Sequence, residues 1–432
     1  MSKRIKKKLQ WYPLDNAAKI YPPTASSTRA HVFSFSAVLT EEIDGEMLKE
    51  SVNNLLKIYP TFKTRLMRGY FWYYLEENEK PFKVFEEKPY YLKSIDYREN
   101  NGYLFQVLYI RDKITIKFFH ALTDGTGGFK FFTALLCEYL KVAGKNVDTE
   151  GVIKPLDAPA TEMESDDSFL TYEKKNISGK TEKIRKPYHI GGTPFSYDGC
   201  GMITAKISLP EVKDCAKKFG VTVTAFLSAV YMQSIYEAFL KNKPVANKFL
   251  TVLVPCNLRK RYGGETLRNF TMFARFSHDY NVSEPSFDDL VLSAQEQITK
   301  GIDKEALDDI IHENVKTERN FFIKMTPLPL KNLVMRAAYS KVGEVLQTVD
   351  FSNLGQVVFP ESVAAYIKHV IFAIAPTFSC GHQTGVVGFK DNLYITFSRN
   401  FTETDIERVF VRKISALGAK VTLFSNYWES SL

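Results

Sequence analysis

Apolar and polar residues alternate most regularly at positions 114–119, within a longer strand-like stretch. Ile114, Ile116 and Phe118 recur at every second position, a period that predicts a β-strand. Residues 103–110 are also strand-like, and the polar turn at 111–113 joins the two strands into a predicted hairpin. Beyond the second strand, apolar residues recur at spacings of three and four, which predicts an amphipathic helix. Its apolar stripe consists of Phe129, Phe132, Leu136, Tyr139 and Leu140.

The loop between this strand and this helix carries the candidate chemistry: His120, Asp124 and Gly125. An imidazole with the ordinary pKa of about 6.5 is mostly neutral near pH 7 and can accept a proton from a hydroxyl or an amine. Asp124 can hold the loop through an ion pair or cap the start of the helix. Gly125 indicates a backbone path that does not tolerate a Cβ atom. From these residues alone, a structural histidine beside a helix-capping aspartate is as good an interpretation as a catalytic histidine.

The remaining hydrophobic pattern predicts two α/β halves joined by a segment of little periodicity. Further strands are predicted at 31–39, 202–209, 249–254, 370–375, 385–389 and 393–399. Further helices are predicted at 44–58, 210–219, 225–240 and 402–417. We expect the last three of these strands to close one sheet. The pattern predicts an N-terminal domain at 1–150, an inter-domain connection at 151–200 and a C-terminal domain at 201–432.

Composition narrows the class of protein. The chain has 432 residues, which is enough for two domains that each bury a full core. The formal net charge of +8 is modest for this length and no nucleic-acid-binding motif is visible, so a nucleic-acid partner is not expected. The 5 cysteines include no C-x-x-C pair, which argues against a disulfide framework or a metal site and predicts a cytoplasmic protein. No apolar run reaches about 18 residues, so no transmembrane segment is expected.

A basic segment opens the chain and contains Lys3, Arg4, Lys6, Lys7 and Lys8. It lacks the apolar core of a signal peptide. We favour a solvated, frayed terminus for this segment. Contact with anionic lipid or with a carrier protein is the alternative.

The motif His120-x-x-x-Asp124-Gly125 resembles the active-site motif of the chloramphenicol acetyltransferase-like superfamily. This group of acyltransferases includes plant BAHD enzymes, condensation domains of nonribosomal peptide synthetases and alcohol acetyltransferases. Condensation domains usually carry two adjacent histidines, and Phe119 replaces the first of them here. The segment at 11–23, WYPLDNAAKIYPP, resembles the start of bacterial and fungal alcohol acetyltransferase-like proteins. The resemblance is closest to the bacterial alcohol acetyltransferase-like proteins.

Segments of the second half extend the resemblance. An N-L-R segment at 257–259 is followed by N-F at 269–270, and S-N-L-G stands at 352–355. The plant enzymes have a tryptophan in this last segment, so the plant branch is not expected. The resemblance implies a substrate channel lined by Asn257, Arg259, Asn269, Ser352, Asn353 and Gly355. Arg259 would brace the loop or meet a phosphate, and Ser352 and Asn353 are candidate oxyanion donors. A polar loop that caps two strands is the alternative for the segment around Arg259 and Asn269.

The segment at 59–65 resembles a condensation-domain segment that usually carries an arginine, which pairs with the aspartate of the motif; Lys63 stands at that position here. Arg65 is the first candidate here, and Lys63 and Arg29 are the others. The alternative is that all three residues are ordinary surface charges. A second histidine, His382, lacks a following D-G and is expected to be part of a loop.

The resemblance implies an α/β fold of two similar domains, each a mixed sheet flanked by helices, with a channel between them. His120 would lie at its midpoint, and segments of the second half would cross onto the first domain. The implied reaction is direct acyl transfer from acyl-coenzyme A to an alcohol or amine, with His120 as general base and no acyl-enzyme. No metal and no permanently bound cofactor are implied. Two alternatives stay open: a condensation-type enzyme whose partner is an acyl carrier protein, and a non-catalytic acyl-binding homologue. The absence of a fused carrier domain favours free coenzyme A, and the intact motif argues against the non-catalytic alternative.

Overall fold

A computed structural model describes residues 9–153, 162–174, 184–195 and 199–426, so the basic segment at 3–8 lies outside the described residues. The strands are β1 (Trp11–Pro13), β2 (Val32–Leu39), β3 (Thr64–Arg68), β4 (Tyr73–Glu77), β5 (Val84–Glu86), β6 (Phe105–Ile110), β7 (Lys113–Phe119), β8 (Gly201–Ser208), β9 (Phe249–Asn257), β10 (Thr271–Asp279), β11 (Val349–Val357), β12 (Ile367–Ile374), β13 (His382–Phe389), β14 (Asn392–Arg399) and β15 (Val421–Ser425).

The α-helices are α1 (Tyr21–Thr24), α2 (Gly45–Ile58), α3 (Gly125–Val142), α4 (Glu162–Ser165), α5 (Ser168–Thr171), α6 (Leu209–Lys218), α7 (Val223–Ile235), α8 (Arg259–Tyr262), α9 (Phe287–Gly301), α10 (Lys304–Arg319), α11 (Phe321–Met325), α12 (Leu328–Val342), α13 (Glu361–Ala364) and α14 (Asp405–Ala416). Helix α7 continues as a π-helical turn at Tyr236–Leu240, and 3-10 turns occur at Ala18–Ile20 and Glu344–Leu346. Among the described residues no single helix is long and apolar enough to cross a membrane. Taken together, the two helical stretches at 209–218 and 223–240 have the length and composition of a membrane span, but the chain bends by 83° between them.

The N-terminal sheet has the strand order β12-β2-β7-β6-β5 and carries the candidate loop at the end of β7. The predicted hairpin is confirmed: β6 and β7 are antiparallel, with Phe105 opposite Phe118. Both side chains are fully buried, because the apolar members of the alternating pattern face the core under α2 and α3. The strand places His120 directly after Phe119, at the end of the central strand of this sheet.

Strand β12 corrects one expectation. We expected 370–375 to close one sheet together with the two strands that follow it. Instead β12 pairs antiparallel with β2 of the N-terminal sheet, with Phe372 opposite Phe35. Both rings are buried in the N-terminal core. A period of two fixes which side chains share a face of a strand, but it does not fix which sheet the strand joins.

The C-terminal sheet has the order β10-β9-β11-β13-β14-β8-β15 and is mixed, because β11 runs parallel to both β9 and β13. Helices α7, α9 and α14 pack together on it and bury a second apolar core. A small sheet, β1-β4-β3, adds to the N-terminal half. The predicted α/β class with mixed sheets flanked by helices is confirmed. The boundaries at 150 and 200 stay a prediction.

Candidate active site

A cavity of about 970 Å³ lies between the two large sheets, and His120 is part of its wall. Both halves contribute to it. From the sequence-predicted set it is lined by His120, Asp124, Gly125, Asn257, Asn269, Ser352 and Asn353. The fold therefore gathers segments that are more than two hundred residues apart around one imidazole.

The His120 ring is held between aromatic side chains and one amide. It stacks on Tyr21 with ring centroids 4.6 Å apart, and the edge of Phe33 approaches at 5.1 Å. Its Nδ1 lies 2.9 Å from Oδ1 of Asn269. Burial lowers the pKa of His120 below its ordinary value, so the ring is neutral at pH 7. A neutral imidazole in a cavity is the protonation state that a general base needs.

Asn269 determines which ring nitrogen of His120 carries the proton. Its Nδ2 donates to Oδ2 of Asp15 at 3.1 Å and to the backbone oxygen of His120 at 3.1 Å. With both acceptors on the amide nitrogen, the amide oxygen faces the ring and accepts a hydrogen bond from Nδ1–H. The lone pair is then on Nε2. Asp15 is fully buried and was not among the residues predicted from the sequence, where its segment, YPLDN, served only as a mark of resemblance.

Both carboxylate oxygens of Asp124 are hydrogen-bonded, one within its own loop and the other to the second half of the chain. One carboxylate oxygen accepts from the backbone N–H of Gly127 at 2.9 Å and caps α3. The other accepts from Nη1 of Arg259, the N–H of Phe270 and the hydroxyl of Thr271, each at 2.8–2.9 Å. Burial alone would raise the pKa of Asp124, but the guanidinium and these hydrogen bonds hold it below its ordinary value. The carboxylate is therefore charged and fixed.

The cation that pairs with Asp124 is Arg259, and the prediction of Arg65 is wrong. Arg65 lies on β3 opposite Glu76 of β4 and forms its ion pair there, at 2.6 Å. The other two candidates are also paired elsewhere: Lys63 lies 3.5 Å from Glu77, and Arg29 lies 3.1 Å from Glu344. Because β3 and β4 pair antiparallel, Arg65 finds a carboxylate on the neighbouring strand. The spacing of motif residues along the sequence does not reveal this local partner.

Arg259 also braces its own loop. Its guanidinium donates to the backbone oxygens of Thr266 and Arg268. This corresponds to the first of the two roles that the resemblance implied. The remaining cations of α8, Lys260 and Arg261, line the cavity.

The S-N-L-G segment lies on β11 against the start of α3. A Cβ on Gly125 would lie 3.1 Å from Cδ2 of Leu354, so the glycine permits this close approach. Ser352 lines the cavity. The Asn353 amide donates to Thr224 at 3.0 Å, and Gly355 has φ +77° just beyond it. Asn353 thus holds the segment in place.

A second polar group in the cavity was not foreseen. Gln347 donates to Oδ1 of Asp350 at 2.6 Å, and Arg275, Gln383 and Glu344 line the same part of the wall. Burial and the Glu344 carboxylate raise the pKa of Asp350 to about 7. Sequence offered no motif for this group, since its members come from four separate elements.

Of two further histidines, His31 is partly buried and lines the cavity with His120, whereas His382 is fully buried. Burial, together with the nearby His120, lowers the pKa of His31 to about 3, and its Nε2 lies 2.9 Å from the Thr24 hydroxyl. His382 is the first residue of β13 and contacts Tyr231 and Glu407 in the C-terminal core. The expectation that His382 belongs to a loop is wrong. Among the described residues no group of three metal-ligating side chains occurs.

Comparison with known proteins gives matches in structure only. No family model matches the chain, and no curated protein matches it in sequence. F. graminearum TRI101, solved with coenzyme A and deoxynivalenol, superposes with a TM-score of 0.63 at 12% identity and covers 95% of this chain and 99% of its own. Polyketide synthase associated protein 5 from Mycobacterium tuberculosis gives 0.57 at 13%, covering 94% and 98%. The condensation domain of the Monacolin K polyketide synthase MokA gives 0.55 at 13%, covering 95% and 97%. These matches confirm the predicted fold.

Proposed function

We propose that this protein, whose fold is that of the chloramphenicol acetyltransferase-like superfamily, transfers an acetyl or acyl group from coenzyme A to an alcohol or an amine. The observation that carries the proposal is the His120 ring in the cavity between the two halves, with Nδ1 bonded to Asn269. This arrangement leaves Nε2 free of its proton and available to a substrate.

In the proposed reaction Nε2 of His120 takes the proton of the acceptor hydroxyl or amine as its oxygen or nitrogen attacks the thioester carbonyl carbon. The tetrahedral intermediate carries the negative charge on the former carbonyl oxygen. Its collapse breaks the carbon–sulfur bond, and the thiolate receives the proton from the imidazolium. General base catalysis contributes about 10²–10⁴-fold. Holding both reactants in one cavity contributes roughly 7–11 kcal/mol at best.

We propose Ser352 as the donor to the oxyanion, since it lines the same cavity as His120. Asn353, the other candidate, is less suited because its amide already donates to Thr224. Asp124 and Gly125 act on the geometry of the loop. Asn257 and Asn269 complete the proposed channel, whereas Gly355 and Arg259 are not part of the cavity wall.

The proposed donor is free acyl-coenzyme A. TRI101 was solved with coenzyme A, and this supports the choice. Lys260 and Arg261 line the cavity, where their charges suit the phosphates of the donor. Condensation domains have the same fold, and MokA covers 95% of this chain. A carrier-bound thioester is therefore the second candidate, with an acyl carrier protein as partner.

Thiol release from acetyl-coenzyme A across a panel of alcohols and amines tests the proposal. We expect His120→Ala to abolish release while the protein stays folded. His278→Ala is the matched control, because the His278 ring is partly exposed and bonds only a backbone oxygen among the described residues. A folded His120→Ala variant with near-wild-type turnover refutes the general-base role. Release only from a phosphopantetheinyl carrier protein refutes the free donor.

A further inference from the structure

Helices α11 and α12 present an apolar surface to solvent. It consists of Phe321, Phe322, Met325, Leu330, Leu333, Val334 and Val342, each of them more than half exposed. We call this set the α11–α12 face. Scattered apolar residues on a surface are ordinary, but a contiguous set on two consecutive helices marks an interaction site.

A surface helix usually buries its apolar side chains and exposes its charged ones, and α12 departs from this pattern. Its buried residues are Leu328 and Lys331. The Lys331 ammonium donates to the backbone oxygen of Phe71 at 2.9 Å and lies 3.5 Å from the centre of the Trp72 ring. Leu330, Leu333 and Val334 point outward, at the helical spacing of one stripe. The fold therefore places a cation on the inner side and leaves leucine and valine outside.

The charged residues within the segment that forms this face have one sign. Between residues 319 and 343 the sequence contains no aspartate or glutamate. It contains five cations, Arg319, Lys324, Lys331, Arg336 and Lys341. Lys324, Arg336 and Lys341 are exposed. A second copy of the chain would bring the same positive charge to the contact, which opposes self-association.

We propose that the α11–α12 face docks on the surface of an anionic lipid bilayer. The apolar side chains enter the headgroup region, and the exposed cations meet the lipid phosphates. Tyr70, also exposed, accepts the first backbone hydrogen bond of α12 at 2.9 Å, and tyrosine is enriched at this depth of a membrane. The protein lies on the membrane and does not span it.

Docking in this orientation brings the bilayer to the cavity. Tyr339, Val342 and Gly343, at the end of α12, line the cavity that contains His120. An amphipathic alcohol, amine or acyl donor dissolved in the bilayer would then enter without crossing water. This consequence for substrate class rests on the proposed acyl transfer, whereas the docking itself does not.

Vesicle flotation tests the docking without any measurement of turnover. The wild-type protein is mixed with vesicles of phosphatidylcholine, with and without phosphatidylglycerol. We expect binding to the anionic vesicles that weakens in high salt. Leu333→Glu abolishes it, and Lys324→Gln and Lys341→Gln each lower the bound-to-free ratio about fivefold. Leu292→Glu is the matched control, because Leu292 is a similarly exposed leucine on α9. Circular dichroism verifies the fold of each variant.

Three outcomes would overturn the docking proposal. The first is no flotation with anionic vesicles. The second is equal loss in Leu333→Glu and Leu292→Glu. The third is a wild-type dimer in light scattering that Leu333→Glu dissociates, which would assign the face to a second copy. Since no acyl transfer is measured, failure of the proposed reaction leaves the flotation result intact.

Discussion

The buried ion pair between Arg259 and Asp124 predicts an unusually costly substitution, Arg259→Met. The Arg259 side chain is 7% exposed and its Nη1 lies 2.8 Å from Oδ2 of Asp124. Methionine keeps much of the apolar volume but removes the guanidinium. The Asp124 carboxylate, 1% exposed, would then be a buried charge without a counterion.

Breaking a buried pair in this way costs about 3–5 kcal/mol of unfolding free energy. Arg65→Met is the matched control, since it removes the same group from the pair with Glu76, where the Arg65 side chain is 34% exposed. A pair so accessible to water contributes about 0–1 kcal/mol. Adding Asp124→Asn to Arg259→Met removes the orphaned charge, so we expect the double variant to be more stable than Arg259→Met alone.

Reversible urea unfolding followed by circular dichroism measures these differences. Hydrogen exchange at the Phe270 amide gives a local readout, because this amide donates to Asp124 at 2.8 Å. We expect its protection to fall in Arg259→Met and to persist in Arg65→Met. Equal stabilities of the two single variants, or a double variant whose losses simply add, would refute the reasoning.

Three further predictions concern the cavity. Asn269→Ala leaves Nδ1–H of His120 without its acceptor, and we expect kcat/KM to fall about 10- to 100-fold, with little change in coenzyme A binding by calorimetry. The pKa of His31 is about 3 when folded and 6.5 ordinarily, so the stability it contributes is complete above pH 6.5 and is lost as the pH falls toward 3. Protonation of His31 in the unfolded chain should contribute a loss of about 2 kcal/mol between pH 7 and about 5, while Asp350, whose pKa is about 7, contributes in the opposite direction. In urea titrations at both pH values the wild type should therefore lose about 2 kcal/mol more than His31→Asn. Arg261→Ala should weaken coenzyme A binding at low salt and change it little at high salt. Lys420, an exposed lysine away from the cavity lining, is the control, and Lys420→Ala should leave the affinity unchanged at both salt concentrations. An unchanged calorimetric affinity in Arg261→Ala would show that Arg261 does not contact the phosphates.

The candidate loop was predictable because its signals are local. Alternation fixed β7, the stripe from Phe129 onward fixed α3, and Asp124 stands where a helix-capping residue is expected. The resemblance of short motifs also placed Asn269 and Ser352 in one channel, and the cavity wall contains both.

The partners of these residues were not predictable, because they depend on contacts between distant segments. Arg259 and Asp124 are 135 positions apart, and Asn269 and Asp15 are 254 apart. Charged residues are frequent along the chain, so spacing alone does not select Arg259 over Arg65. Tertiary packing makes that selection, and it requires the fold.

The pairing of β12, from the second half of the chain, with β2 of the N-terminal sheet has a consequence for biosynthesis. Strand β2 lies near the start of the chain, and its neighbour β12 ends 335 residues after Leu39, at Ile374. At about 5–20 residues per second, a ribosome needs roughly 20–70 seconds to supply that neighbour. During this interval β2 is an unpaired edge with Phe33 and Phe35 on it, the kind of surface that recruits other nascent strands. Translation speed and chaperone capture should therefore influence the yield of native protein.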